Sequence, residues 1–133
     1  MNLIKCENQE LIVEALLIKQ NIGKVKIANN DINRILFLIK NNVEKVGMIS
    51  ISCCENSVEI KDFIFKDSIE NKLKVESLEC LEVFCESMGF ETIIFDSKVD
   101  DTYYLKNINY KTRGDIFTKN DAVYLKMVKN IKW

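Results

Sequence analysis

The stretch VEIKDFIFKDSIENKLKVESLECLEVFCESMGFETIIFDS, residues 58–97, decides the fold class. Its first eight residues are rich in β-branched and aromatic side chains and read as a strand. Val58, Ile60 and Asp62 fall on one face, while Phe63 and Phe65 begin the other, a shift in alternation that predicts a bulge. The charged residues 66–76 lead into a different period. Leu78, Leu81, Phe84, Cys85 and Met88 recur at three- and four-residue spacing, the stripe of an amphipathic helix over roughly 70–88. Gly89 stands where a helix commonly stops. ETIIFDS (91–97) is short and nearly all apolar, which predicts a strand buried on both faces and parallel to a neighbour.

Strand, helix, strand is therefore the centre of the chain, and the flanks extend it. RILFLIK (34–40) and VEKVGMISIS (43–52) are strands around a turn at Asn41-Asn42, and Cys54-Glu55-Asn56-Ser57 is a second turn. Residues 34–65 should thus form three consecutive antiparallel strands, with one sheet uniting 46–52, 58–65 and 91–96. Upstream, residues 2–6 read as a short strand. Asn8 is a candidate N-cap for a helix that Gly23 stops, and 24–33 is a second short helix or a loop. Downstream, residues 100–109 look like a short helix capped by Asp100 or Asp101. Two closing strands occupy 110–117 and 122–129, and Arg113-Gly114-Asp115 is a turn candidate. The order β-α-α-β-β-β-α-β-α-β-β is an α/β protein with a mixed, mostly antiparallel central sheet flanked by helices.

One hundred and thirty-three residues suit a single domain, 1–133. A net charge of −1 argues against a nucleic-acid module, and no apolar run approaches a membrane span. No secretory signal is legible at the start, which suggests a cytoplasmic protein. The chain contains no histidine, which removes Ser-His and Cys-His nucleophiles and imidazole-ligated zinc. Acid-base chemistry near neutrality falls to carboxylates, Tyr, Cys and Lys. The five cysteines show no Cys-x-x-Cys spacing and read as reduced and mostly buried, with Cys85 beside Leu81 and Met88. Lysine outnumbers arginine heavily and Ile and Asn are abundant, a usage that suggests a bacterial or phage source.

In this order of elements the chain resembles the GNAT acetyltransferases, which move an acetyl group from acetyl-CoA to an amine. Three places carry the resemblance. VEIKDFIF (58–65) is similar to the family's fourth strand. The helix ending FCESMGF (84–90), followed by ETIIF (91–95), is similar to the helix, glycine and strand that come after the cofactor loop. TYYLKNINYK (102–111) and VYLKMVK (123–129) resemble its closing segments. The family's phosphate loop, Arg/Gln-x-x-Gly-x-Gly/Ala, would fall within 67–75, where this chain has no glycine. The Gly of a late Gly-Phe pair corresponds to Asn109. The tyrosine that commonly protonates the leaving thiolate aligns with Leu105, with Tyr104 one residue earlier, a slip of about 100° on a helix.

The resemblance implies site residues. Backbone groups of Phe63, Ile64 and Phe65 would hold the pantetheine arm, their side chains reading as core. Asn71, Lys72 and Lys74 are candidates for phosphate contact, or a solvated helix start. Glu59 and Asp62 are candidate general bases, and Tyr103 and Tyr104 candidate general acids, Tyr104 preferred. Asp96, Asp100 and Asp101 follow a strand end and would attract a cationic amine or cap a helix. Acetyl-CoA is the implied cosubstrate, and a small-molecule or peptide amine the implied partner. Pairing through the 34–52 hairpin or the last strand would make a homodimer. The rival reading is a catalytically degenerate binding or regulatory module on the same fold.

Overall fold

The computed structural model describes residues 2–20, 34–67 and 69–131. Seven strands form one sheet: β1 (Asn2–Lys5), β2 (Arg34–Asn41), β3 (Glu44–Cys54), β4 (Ser57–Phe65), β5 (Thr92–Lys98), β6 (Lys111–Lys119) and β7 (Ala122–Asn130). Their spatial order is β1-β2-β3-β4-β5-β7-β6. The one parallel pair is β4 with β5, joined by the central helix, and the other pairs are antiparallel. This is the α/β, mixed and mostly antiparallel sheet that the element order predicts. Gly23 and the second short helix of 24–33 lie outside the described residues.

Helix α1 (Gln9–Gln20) begins where Asn8 predicts, and the Leu11 amide donates to Asn8 Oδ1 at 2.9 Å. Helix α2 (Asn71–Ser87) stops at Gly89, whose φ of +87° no β-carbon opposes. Helix α3 (Thr102–Asn107) follows a single 3-10 turn, Val99–Asp101. Asp101 occupies its N-cap without a side-chain cap bond. Instead the Thr102 hydroxyl donates to the Val99 carbonyl.

The sheet carries a core on each face. On one face α2 and α3 bury Leu78, Leu81, Cys85, Tyr104 and Leu105 against Phe37, Ile49, Ile51, Val58, Ile60 and Ile93. On the other, Ala15 and Ile18 of α1 pack on Leu38 and Met48. β4 changes allegiance halfway along. Ser50 faces Asp62 but Ile51 faces Ile60, so Lys61 is the extra residue of a bulge. The bulge keeps Phe63 and Phe65 on the same core as Val58 and Ile60. It also sends Asp62 to the α1 face, where it meets Ser50, rather than beside Val58 and Ile60 as simple alternation has it.

Other expectations need correction. Met88 is 59% exposed, because it lies past the last helical turn, so Cys85 packs with Leu81 and without it. β5 is parallel to β4, but Ile94 and Asp96 on its other face are only half-buried, since α1 lies over β2, β3 and β4. Arg113-Gly114-Asp115 is no chain reversal. It lies inside β6, where the register with β7 breaks and Gly114 takes φ +78°. The reversal that follows is made by Asn120 and Asp121, both at positive φ as a two-residue hairpin requires. No disulfide joins the five cysteines, of which Cys85 is buried and Cys54 exposed. No described helix is long and apolar enough to cross a membrane.

Candidate functional site

Ladder pairing between β4 and β5 runs from Ser57–Thr92 to Ile60–Phe95 and ends there. The bulge at Lys61 turns the rest of β4 away, so the two strands splay, and a cavity of about 440 Å³ opens between them. Asp62, Phe63, Ile64 and Phe65 of β4 line it on one side, and Phe95, Asp96 and Ser97 of β5 on the other. Past Ile60 this edge of β4 has no pair with β5, which makes the backbone of 63–65 the candidate contact for a ligand. Phe63 stands between Phe65 and Phe95, at ring distances of 5.1 and 5.8 Å. Both contacts are edge-on, which makes an apolar floor at the point of divergence.

The cavity has a different lining on each face of the sheet. On the α2 side stand Lys74 and Tyr104. The Lys74 ammonium lies 3.9 Å from Asp101 Oδ1 and 5.7 Å from the centre of the Tyr104 ring. Tyr104 is 4% exposed, and burial, with the nearby Asp101 charge, pushes its phenol well above the usual range. The phenol therefore keeps its proton at any physiological pH. Leu105, the residue that counting places at the tyrosine position, is wholly in the core. Tyr104, one residue earlier, lines the cavity all the same. Asn109 has φ +73°, the left-handed backbone conformation that asparagine tolerates.

On the α1 side stands Asp62. Its Oδ2 accepts from Ser50 Oγ at 2.5 Å and from Arg34 Nη2 at 3.3 Å. Glu59 belongs to the paired half of β4. It is ion-paired to Lys61 at 3.1 Å and forms no part of the cavity wall.

The N-terminus of α2 adjoins the cavity through Ile69 and Lys74. Its first turn leaves N–H groups without intrahelical partners. Glu70 is the N-cap, with no side-chain cap bond, and its carbonyl already accepts from the Leu73 and Lys74 amides. Asn71 donates to the Tyr103 hydroxyl at 3.1 Å, and Tyr103 is exposed. Lys72 is exposed and stands apart from the cavity lining. Of the residues singled out in the sequence, then, the fold gathers Asp62, Phe63, Ile64, Phe65, Lys74 and Tyr104 around one cavity. Glu59, Asn71 and Lys72 lie outside its wall. Arg34 and Ser50, which hold Asp62, carried no sequence signal, because they meet it only through strand pairing.

No protein-family model matches the chain, and no curated protein matches it in sequence. Solved structures do. The aminoglycoside 6'-N-acetyltransferase of Enterococcus faecium superposes with a TM-score of 0.74 at 16% identity, covering 99% of this chain and 98% of that one. The ribosomal-protein-S18-alanine N-acetyltransferase of Escherichia coli gives 0.76 at 11% identity, over 98% of this chain and 95% of that one. An aminoglycoside 6'-N-acetyltransferase complexed with coenzyme A gives 0.69 at 16%, over 99% and 98%. At such identities the likeness is one of fold, and it extends over nearly the whole of each chain. The chain has the GNAT fold.

Proposed function

We propose that this chain is an acetyltransferase, moving the acetyl group of acetyl-CoA to the nitrogen of a small-molecule amine. The observation that carries the reading is the splay of β4 from β5, which opens a cavity to both faces of the sheet beside a helix N-terminus. The neighbours in fold are N-acetyltransferases, and one of them is complexed with coenzyme A.

The residues present fit the cosubstrate on the α2 side. Backbone groups along 63–65, past the last pair of β4 with β5, suit an amide-containing arm. The first turn of α2 and the Lys74 ammonium suit phosphates. Without glycine in 69–75, β-carbons shield the turn's amides, so Lys74 supplies attraction that backbone donors would otherwise provide. The amine enters on the α1 side. Its lone pair attacks the thioester carbon, and backbone N–H groups of the splayed β4 steady the oxygen as it gains charge. The C–S bond then breaks. Tyr104 supplies a proton to the departing sulfur, and the proton lost by the amine passes to Asp62, which Ser50 and Arg34 hold in place. Asp62 suits this role better than Glu59, which Lys61 holds outside the cavity. Five cysteines without a disulfide fit a reducing compartment, and we place the protein in the cytoplasm.

The test is direct. Acetyl-CoA at one hundred times its dissociation constant should stabilise the protein by about 2.7 kcal/mol, several degrees in Tm. A panel of amines should release free CoA thiol. No binding at millimolar acetyl-CoA would replace the enzyme reading with that of a degenerate binding module.

A further inference from the structure

We infer that Asp96 is an ammonium-anchoring residue, and that the acceptor is a small diamine or polyamine with a second, charged amino group. The inference rests on the acetyltransferase reading for what is transferred, but not for what Asp96 binds. Among the described residues, Asp96 Oδ1 is the buried side-chain polar atom with no hydrogen-bond partner. A shielded carboxylate oxygen without a donor is costly, and such atoms call for an explanation. Its neighbour on β7, Lys126, places Nζ 3.8 Å from that oxygen, close enough to balance charge but too far to donate.

Position supports the assignment. Asp96 lies in the cavity wall, on β5 just past its last pair with β4. Phe95 packs on the α2 core, so Asp96, the next residue, belongs to the opposite face, the one that carries Asp62. The other wall carboxylates are satisfied: Asp62 by Ser50 and Arg34, while Asp67 and Asp101 are open to water. Asp96 is the acid in that wall still short of a donor, on the face from which the amine enters.

Chemistry then sets the class of ligand. A carboxylate that binds an ammonium stabilises its charged form and raises its pKa. The amine that attacks a thioester must be neutral. The ammonium at Asp96 is therefore not the group that is acetylated, and the acceptor carries two amino groups, one anchored and one reactive.

The experiment uses the intact protein without acetyl-CoA. 1,4-Diaminobutane is the probe and 1,4-butanediol its neutral match, with binding followed by calorimetry. The diamine should bind and the diol should not. Asp96→Asn should weaken diamine binding at least tenfold. Lys126→Gln, which removes the competing cation, should strengthen it several-fold, an opposite change that simple loss of stability does not produce. With acetyl-CoA present, the kcat/KM preference for 1,4-diaminobutane over 1-aminobutane should exceed tenfold and collapse in Asp96→Asn. Equal binding of diol and diamine, or an unchanged preference in Asp96→Asn, overturns the inference while leaving acetyl transfer standing. Asp96-dependent diamine binding without acetyl transfer to any amine upholds Asp96 as the anchor and removes the enzyme reading instead.

Discussion

The two halves of β4 share one strand and differ in nearly everything else. From Ser57 to Ile60 the strand is bonded to β3 on one side and β5 on the other, and Val58 and Ile60 are buried. From Lys61 to Phe65 it keeps β3, loses β5, and its residues are exposed or half-buried. One extra residue, Lys61, separates the halves. The contrast teaches how a sheet makes a site: the paired half supplies rigidity, and the bulge turns the same strand into one wall of a cavity without moving its apolar face off the core.

Matched truncations measure the contrast most directly. Ile60→Ala should cost about 3 kcal/mol, as buried Ile-to-Ala changes do, whereas Ile64→Ala, on the splayed half, should cost about 1 kcal/mol. Chemical denaturation checks both, and equal losses would erase the distinction. Gly47, which faces Phe65, tests how tightly β3 must hold the splayed half. A β-carbon there would lie 2.4 Å from the Ile64 carbonyl oxygen and 2.9 Å from the Phe65 ring. Gly47→Ala should therefore destabilise by about 3 kcal/mol, an overpacking cost that backbone cannot readily relieve.

Next in size is catalysis on the α2 side. Tyr104→Phe should slow acetyl transfer about 100-fold, the scale of a lost general acid, with little effect on acetyl-CoA binding. Lys74→Ala should weaken acetyl-CoA binding several-fold and flatten its salt dependence, while exposed Lys72→Ala does less. Equal effects of the two lysines would show that the helix start acts only through its general charge.

The smallest effect concerns the paired half's core. Burial pushes the Cys85 thiol up to about 12 from 9.0, with Cys53 and Glu82 adding to it. The folded state thus holds this proton after the unfolded chain has released it. The stability is fully present below pH 9 and is lost as pH rises from 9 towards 12. The loss sets in near pH 9 and steepens as pH rises further. Tyr104 and Tyr110, raised for the same reason of burial, add to the alkaline decline. Denaturation midpoints between pH 7 and 10 measure it, and a flat profile would contradict the burial of Cys85.

Much of the fold was legible because it repeats local signals. Asn8 as N-cap, Gly89 as stop and the stripe of Leu78, Leu81 and Cys85 all act within a few residues of themselves. Met88 misled because the stripe continues in sequence one step past the turn at which the helix ends. Arg113-Gly114-Asp115 misled because a glycine at positive φ serves a bulge as readily as a turn. The site was half legible. Asp62, the three residues after it and Tyr104 came through the family resemblance, which places them on the fourth strand and the late helix. Arg34, Ser50 and Lys126 were not, because each reaches a cavity carboxylate from a different strand.

By itself the sequence determined the order of elements, a shift in alternation beside Asp62 and Phe63, the absence of histidine, and the lack of glycine in 67–75. These are properties of residue type and spacing, fixed before any two distant segments meet. The tertiary structure alone decided that β4 and β5 part after Ile60, and that Tyr104 rather than Leu105 lines the cavity. It also decided that Ser50 and Arg34 satisfy Asp62 while Asp96 is left short of a donor. Those outcomes depend on strand register and on which side chains burial brings together, and hydrogen-bond satisfaction is settled only across such contacts.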